Sequence, residues 1–324
     1  MPRISTKTIH EAYKINPFLP LLLPECRTIS QAKLELKWIN QEFAKTAPDH
    51  YTLQKNIKKA CIQRFHHIPL QYILKSQPFG SLNIKCQPCV LIPRWETEEW
   101  VMDLIQSIKN GKQSLESKNQ ISIVDLCTGS GCIALLLKRE LSKILNSNLN
   151  VKAVDCSDSA IDLVNRNKLE SSEDPIDIEV LKFDILQSNN IDSILSNQKI
   201  DILTCNPPYI PKSDFQRDVT KSVKLFEPKL ALIGDKEFYS NLLEKWIPHI
   251  NSFVYEVGNI DQVKFVKDYI SNDNTLNKIW TVGSKYDSNK QCRVVYGYVN
   301  SPNSSSYDIS KIFSNFGTVI HPSK

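Results

Sequence analysis

Hydrophobic positions between residues 28 and 77 recur at helical spacing. Apolar residues on two predicted helices share a face: Leu34, Trp38 and Ile39, then Ile57, Cys61 and Phe65. Pro69 and Pro78 end this pattern, because proline lacks the backbone N–H that a helix interior requires. The pattern predicts a small helical domain over residues 1–77.

Shorter apolar segments follow, and their spacing changes. Residues 79–92 predict a β-hairpin with turns at Gly80-Ser81 and Gln87-Pro88, so residues 78–93 are expected to form a linker. From residue 121, apolar strands alternate with helical segments; the predicted strands are 121–126, 151–155, 178–184, 200–205, 253–257, 279–282 and 292–299. The last two are too close for a helix between them and should pair antiparallel.

This alternation predicts an α/β domain over residues 94–300, built on a doubly wound sheet of seven strands with a reversed edge. The segment 301–324 is rich in Ser and Asn, and we expect a loosely ordered polar tail. A chain of 324 residues has room for two such domains.

Charge and cysteine content narrow the possible partners and cellular compartments of the protein. Residues 1–77 hold 12 basic and 5 acidic side chains, a net charge of +7, whereas the remainder is close to neutral. This imbalance indicates either an anionic partner or a solvated helical face. Nine cysteines, an odd number set mostly in apolar runs, favour free thiols in a reducing compartment. Cys86 and Cys89 have ligand-like spacing, but no second pair follows, so no metal site is predicted.

A glycine-containing turn lies between the first predicted strand of the α/β domain and the next helix. The segment runs from Asp125 through Cys127, Thr128, Gly129, Ser130 and Gly131 to Cys132, and the following strand ends at Asp155. Glycine lets a ligand approach the backbone, and an acid at the end of the next strand can accept hydrogen bonds from ribose hydroxyls. Both features suit NAD and S-adenosylmethionine. Asp125 favours the latter, because a carboxylate repels a pyrophosphate but attracts a cationic sulfonium or ammonium group.

The fourth predicted strand runs into Asn206-Pro207-Pro208-Tyr209. Neither proline has an N–H, so the backbone there offers only carbonyl acceptors. The Asn206 side-chain oxygen and the Pro207 carbonyl can face one NH₂ group, and Tyr209 can stack on a planar substrate group. Two fixed acceptors would orient a conjugated nitrogen and stabilise positive charge as it attacks a methyl sulfonium.

Two other functions are compatible with these residues. A nucleic-acid methyltransferase acting on adenine N6 or guanine N2 could use the same tetrapeptide, but it needs a recognition region and a broad basic face. A methyltransferase-like subunit that only binds a partner would not need an intact cofactor loop. Loss of S-adenosylmethionine binding would favour this second alternative.

The motifs taken together resemble the protein-(glutamine-N(5)) methyltransferases that modify peptide-chain release factors. The resemblance covers roughly residues 66–300 and rests on 67–73, 91–98, 125–131, Asp155, Asp184-Ile185, 206–209, Phe226-Glu227-Pro228, Ala231-Leu232 and 293–295. It implies a Rossmann-like class I methyltransferase domain of seven strands after a helical substrate-docking domain and a hairpin. Two departures from the family pattern are Cys127, where the first loop glycine is usual, and Ile185, where some members have an aromatic residue.

By this resemblance the substrate is the glutamine of the Gly-Gly-Gln loop of a release factor, and the cofactor is S-adenosyl-L-methionine. The implied catalytic residues are Asn206, Pro207, Pro208 and Tyr209. The implied cofactor-binding residues are Asp125, Cys127, Thr128, Gly129, Ser130, Gly131, Asp155, Asp184, Ile185 and Asn206. We expect a monomer without a nucleic-acid substrate or a membrane segment. Arg3, Lys7 and Lys14 among Ser and Thr suggest a weak transit sequence, which together with the organellar and fungal members of the family favours mitochondria over the cytoplasm.

Overall fold

A computed structural model describes residues 3–115, 117–187, 191–195, 199–300 and 307–323. The described chain divides into a helical unit and an α/β unit. The helical unit contains the residues up to Gln77 together with Cys86–Pro88 and Val219–Glu227. The α/β unit contains Pro78–Lys85, Cys89–Asp218 and the residues from Pro228 onward. None of the helices found among the described residues is both long and apolar enough to cross a bilayer.

The helical unit has a core of its own. Its helices are α1 (Thr6–Ile15), α2 (Leu19–Cys26), α3 (Ile29–Ala44), α4 (His50–Phe65), α5 (Leu70–Leu74) and, later in the chain, α10 (Lys221–Phe226). Ser5, Thr28 and Asp49 cap the amino ends of α1, α3 and α4 by accepting a backbone N–H. Buried apolar residues include Ala12, Leu22, Ile39, Ile57 and Cys61.

The helical periodicity was partly wrong about which residues are buried. Leu34 and Trp38 are about two-fifths exposed, as is Phe65, whereas Ala32 and Ile39 form the buried face of α3. Glu35 is also buried on that face, where its carboxylate pairs with Arg64 of α4 at 2.9 Å. The pairing with Arg64 compensates the charge of Glu35, so this polar position of α3 can face the core.

The α/β unit begins with a short hairpin. Strands β1 (Ser76–Phe79) and β2 (Leu82–Lys85) are joined at Gly80-Ser81, and the predicted second half around Gln87-Pro88 forms no strand. The helices that follow are α6 (Trp95–Gly111), α7 (Cys132–Leu141), α8 (Asp158–Glu170), α9 (Lys212–Asp218), α11 (Glu237–Asn241), α12 (Ile260–Asn272), α13 (Leu276–Ile279) and α14 (Ser310–Phe313).

The strands form one mixed sheet. They are β3 (Gln120–Leu126), β4 (Asn148–Asp155), β5 (Glu179–Lys182), β6 (Ile202–Cys205), β7 (Ser252–Glu256), β8 (Trp280–Tyr286), β9 (Cys292–Val299) and β10 (Thr318–His321), in the order β10-β8-β9-β7-β6-β3-β4-β5. Strands β3 to β7 are parallel, and β9 and β8 pair antiparallel as the sequence predicts. Buried apolar clusters cover both faces of the sheet.

The count of seven strands and the loosely ordered tail were both wrong for the described residues. Strand β10 adds an eighth strand by pairing antiparallel with β8. Phe313 and Phe316 precede it and are 1% exposed, because they pack on the aromatic rings of Tyr296 and Tyr298. The few apolar residues in this Ser- and Asn-rich segment are therefore enough to pack it against the sheet.

Candidate active site

Two loops meet where the strand order reverses. Strands β3 and β6 are neighbours with Asp125 opposite Thr204 and Leu126 opposite Cys205, and β3 continues to β4 on its other side. The carboxyl ends of β3 and β6 therefore open into one crevice, where open α/β sheets bind their ligands. The glycine-containing loop follows β3, and Asn206 follows β6 directly.

A cavity of about 230 Å³ occupies this crevice within the α/β unit. Its lining includes nine of the residues that the sequence indicates: Cys127, Thr128, Gly129, Ser130, Asp155, Asp184, Ile185, Asn206 and Pro208. The other four, Asp125, Gly131, Pro207 and Tyr209, lie beside these residues without lining the cavity. Most sequence-predicted positions therefore converge, although they come from the ends of β3, β4, β5 and β6.

The backbone of the loop after β3 is left-handed at three positions. The φ angles are 52° at Cys127, 56° at Gly129 and 80° at Gly131. A side chain at Gly129 would project toward open cavity, with the nearest atom of Val90 4.0 Å from its Cβ. The loop thus presents bare backbone to the cavity, whereas Cys127 adopts a conformation that L-residues with a Cβ rarely take.

The Asp155 carboxylate closes one wall of the cavity. Its oxygens accept the backbone N–H of Gly129 and of Ser157, each at 2.9 Å. Burial raises the pKa of Asp155, and these N–H groups oppose the rise. Each oxygen keeps a further lone pair, so this carboxylate can accept hydrogen bonds from two ligand hydroxyls.

Asp125 lies beneath the loop and is completely buried. Its oxygens accept the hydroxyls of Thr128 at 2.6 Å and of Thr204 at 2.8 Å. Burial raises the pKa of Asp125 to about 7, against the opposing effect of these two donors. The side chain therefore ties the loop to β6 and acts on the cavity through Thr128.

The far wall of the cavity is apolar. Phe183, Ile185 and Leu186 lie there, and Ile185 belongs to the buried core of the sheet. Asp184 is held in place because its Oδ1 accepts the backbone N–H of Leu186 at 2.9 Å and of Gln187 at 3.1 Å. An apolar wall beside a carboxylate suits a flat heteroaromatic ring.

The segment Asn206–Tyr209 is held tightly in place. Asn206 Nδ2 donates to Thr97 Oγ1 at 3.1 Å, and the Tyr209 hydroxyl donates to Glu256 at 3.2 Å. A Cβ on Gly258 would lie 2.6 Å from the Tyr209 ring, so only glycine fits there. The hydroxyl of Tyr209 is thus engaged with the protein, which leaves its ring as the part available to a substrate.

Four residues support the site in roles that the sequence did not predict. Asn167 of α8 donates to the Ser130 carbonyl at 2.9 Å, and Gln262 of α12 donates to the Tyr209 carbonyl at 3.0 Å; both side chains are 0% exposed. Thr97 and Glu256 hold Asn206 and Tyr209. The available signal was a polar residue on an apolar stripe, such as Asn167 following Ala160, Leu163 and Val164, or an acid within the apolar strand β7.

Arg94 and Glu98, two charged residues of the motif 91–98, have different surroundings. Glu98 accepts the backbone N–H of Gly80 at 2.8 Å and so fixes the hairpin turn, whereas Arg94 lines the cavity. Within the part of the chain that the structure describes, no three His, Cys, Asp or Glu side chains are grouped to hold a metal ion.

Comparison with known proteins shows which family the chain belongs to. Residues 112–227 match the family model of the methyltransferase small domain. The mitochondrial MRF1 N(5)-glutamine methyltransferase of Saccharomyces cerevisiae is 49% identical over 99% of this chain and 96% of its own length. The chain belongs to the release factor glutamine methyltransferases. A probable mitochondrial MRF1 N(5)-glutamine methyltransferase of Schizosaccharomyces pombe is 36% identical over 91% of this chain and 96% of its own. The release factor glutamine methyltransferase of Pasteurella multocida is 32% identical over 62% of this chain and 64% of its own.

Membership in this family confirms the resemblance and the class I methyltransferase fold expected from the sequence. Methyltransferases of this family use S-adenosylmethionine, and the residues that line the cavity suit that cofactor. Bare backbone at Gly129, the Asp155 carboxylate and the aliphatic wall at Ile185 offer matching surfaces for the amino acid, ribose and adenine portions.

Proposed function

We propose that this protein transfers a methyl group from S-adenosylmethionine to the side-chain amide nitrogen of the glutamine in the Gly-Gly-Gln loop of a mitochondrial release factor. One observation carries the proposal: Asn206 and Pro208 line the same cavity as the loop after β3 and the carboxylate of Asp155. The names of the fungal and bacterial relatives support the substrate and, for the fungal pair, the compartment.

The substrate nitrogen is bound by acceptors. Asn206 Oδ1 and the Pro207 carbonyl accept the two amide hydrogens, because neither proline has an N–H to compete with them. This fixes the direction of the nitrogen and stabilises positive charge as its lone pair leaves conjugation. Tyr209 contributes its ring face, since its hydroxyl donates to Glu256.

Asp155 would hold the ribose hydroxyls, the backbone at Cys127 and Gly129 the methionine portion, and Ile185 the adenine. The bound cofactor supplies an electrophilic methyl group on a sulfonium. The residues of this chain would orient the acceptor nitrogen toward that methyl group. The carbon–sulfur bond breaks as the nitrogen–carbon bond forms, so S-adenosylhomocysteine is the leaving group and keeps the electron pair of that bond. The methylated nitrogen loses one hydrogen as a proton to water as the products leave, so no dedicated base is needed beside Asn206.

The helical unit would carry the docking surface for the release factor, in line with the net charge of +7 in residues 1–77. We also propose that the enzyme acts as a monomer. The net charge of −2 in residues 78–324 argues against a nucleic-acid substrate. A reporter fused to residues 1–17 tests the compartment: we expect import into mitochondria, and a cytoplasmic reporter would contradict a transit role for that segment.

The decisive experiment incubates purified protein with S-adenosylmethionine and mitochondrial release factor, followed by mass spectrometry of the Gly-Gly-Gln tryptic peptide. We expect the peptide to gain one methyl group on the glutamine. Asn206→Ala should abolish transfer while the dissociation constant for the cofactor stays within about threefold, as measured by calorimetry. An unchanged peptide mass with the wild-type protein would refute the proposed function.

Asn300→Ala is the matched control for Asn206→Ala. Asn300 is also half-buried, and its Nδ2 also donates to a threonine hydroxyl, that of Thr281, at 3.0 Å. It directly follows β9 and does not line the cavity. Equal loss of methyl transfer in the two variants would show that the role of Asn206 is structural.

A further inference from the structure

A chain of hydrogen bonds links the buried Glu256 to the substrate-facing Asn206. Glu256 ends β7, and its side chain is 1% exposed. One carboxylate oxygen accepts the Thr97 hydroxyl at 2.7 Å and the indole N–H of Trp100 at 2.8 Å, and the other accepts the Tyr209 hydroxyl at 3.2 Å. Thr97 Oγ1 in turn accepts Asn206 Nδ2 at 3.1 Å.

The chemistry of each group sets the direction of this chain. An ionised carboxylate can only accept hydrogen bonds, so the hydroxyl hydrogen of Thr97 must point to Glu256. The Thr97 oxygen then has only lone pairs to offer Asn206, and it selects the NH₂ end of that amide. The carbonyl oxygen of Asn206 is thereby turned away from Thr97 and left free as an acceptor.

The groups around Glu256 determine whether its carboxyl group is ionised. Burial raises the pKa of Glu256, while the donors Trp100, Thr97 and Tyr209 and the cationic Arg293 of β9 oppose this rise. Arg293 is itself held by Asp287 at 2.8 Å and lies 3.6 Å from Glu96. Three donated hydrogen bonds and a nearby cation are the arrangement that keeps a buried carboxylate ionised.

We propose that Thr97 and Glu256 are positioning residues that fix the direction of the Asn206 amide, so that its oxygen and not its NH₂ group meets the glutamine nitrogen. The inference rests on the proposed function, in which Asn206 accepts from the substrate amide. A reversed Asn206 would present N–H donors to an NH₂ group, and the substrate would lose one of its two acceptors.

The first test removes the Thr97 hydroxyl at nearly constant volume. Thr97→Val should lower kcat for release-factor methylation about 10- to 100-fold, because the Asn206 amide can then turn either way. Thr97 also lines the cavity, but its hydroxyl is engaged with Glu256 and Asn206. KM for the release factor and the dissociation constant of S-adenosylmethionine should therefore stay within about threefold, since valine keeps the volume of the side chain. Thr97→Ser restores a hydroxyl and should recover kcat to within about threefold of wild type.

Thr281→Val is the control for the general cost of burying valine in place of threonine. Thr281 of β8 is 3% exposed and its hydroxyl accepts from Asn300 and from the Ser323 backbone, away from the cavity. We expect a lower melting temperature with kcat within about twofold of wild type. An equal loss of kcat in Thr97→Val and Thr281→Val would overturn the proposal, as would a serine variant as defective as the valine one.

The second test removes the acceptor at the origin of the chain. In Glu256→Leu the Thr97 hydroxyl loses its acceptor and is free to donate to Asn206, so we expect a loss of kcat of about tenfold or more in protein that still binds S-adenosylmethionine. Glu256→Gln is the matched variant: the Trp100 indole can only donate, so the glutamine oxygen stays with Trp100 and Thr97, the direction of the chain is kept, and kcat should stay within about threefold of wild type. Full activity of Glu256→Leu, or a glutamine variant as defective as the leucine one, would overturn the proposal.

Wild-type protein separates failure of this inference from failure of the proposed function. If wild type leaves the Gly-Gly-Gln peptide unmodified, the proposed function fails. If wild type methylates the peptide and Thr97→Val does so equally fast, only the positioning role fails.

Discussion

Cys127 stands where the resemblance leads us to expect the first loop glycine, and its backbone adopts a conformation that favours glycine. Its φ of 52° is a conformation that glycine adopts freely and that costs other L-residues about 1–2 kcal/mol. The side chain packs against a buried apolar cluster, which offsets part of that cost. At position 127, backbone strain therefore lowers the stability of the fold, and packing of the thiol raises it.

A pair of substitutions separates the two contributions. Both Cys127→Gly and Cys127→Ala lose the thiol, but only glycine relieves the backbone, so we expect the glycine variant to be more stable by about 1 kcal/mol in urea denaturation. The same pair at Cys156, which also lines the cavity but has a negative φ, should show the usual order, with alanine more stable. Alanine as the more stable residue at both positions would exclude strain at Cys127.

Asp125 makes stability depend on pH. The pKa of its carboxyl is raised to about 7 from 3.8, so the folded protein holds this proton more tightly than the unfolded chain does. The resulting stabilisation is present below about pH 4 and is lost as pH rises through about 7. At about 1.4 kcal/mol per pKa unit, the loss is at most about 4 kcal/mol.

Asp125→Asn cannot titrate, and its side chain can still bond the hydroxyls of Thr128 and Thr204. We expect the difference in unfolding free energy between this variant and wild type to change by a few kcal/mol between pH 4 and pH 8, in favour of the variant at the higher pH. Denaturant unfolding across this range measures it. Parallel curves for the two proteins would contradict the expected titration.

Among the elements, the C-terminal segment shows what sequence patterns miss. Strands with a run of apolar residues, such as β3 and β7, were predicted closely, because burial on both faces leaves a clear signal. Strand β10 has no buried residue and no such signal. The rings of Phe313 in α14 and of Phe316 after it pack on β9 and hold the segment that leads into β10. This is a contact between distant residues that a local pattern cannot reveal.

The residues of the candidate site also fall into those that the sequence predicted and those that it did not. The motifs placed nine of their residues on the cavity, since a turn after a strand carries its own chemical signature. Thr97, 109 residues before Asn206, could not be linked to it from the sequence, because the pairing depends on the order of strands in the sheet. The residues that line the cavity were thus largely predictable, and those that hold them in place were not.

Phe313→Ala tests whether the C-terminal segment is integral to the sheet. The ring stacks on Tyr296 and Tyr298 with centroid distances of 5.5 Å and 5.4 Å and is 1% exposed. We expect a loss of about 3–5 kcal/mol in unfolding free energy. Val319→Ala, in the same segment but 44% exposed, should cost less than about 1 kcal/mol. Similar small losses in both would show that the segment contributes little to stability.

At the scale of the whole molecule, the uneven distribution of charge predicts how the release factor is captured. Lys33 and Lys37 are exposed one turn apart on α3, next to the exposed side chains of Leu34 and Trp38. Basic residues around an apolar centre suit an acidic protein surface, and exposed charges act mainly on the rate of encounter. We therefore expect the release factor to be captured partly by electrostatic attraction, whereas a free Gly-Gly-Gln peptide is not.

The double variant Lys33→Glu, Lys37→Glu should raise KM for the intact release factor about three- to tenfold and leave kcat unchanged, since the cavity lies in the α/β unit. The dependence of KM on salt should weaken, because added ions screen charges beyond about 10 Å at 0.1 M. Reversal of Lys264 and Lys267 on α12 is the control, because it makes the same change in net charge on the other unit. If both double variants raise KM equally, net charge alone explains the effect and α3 is not the docking surface.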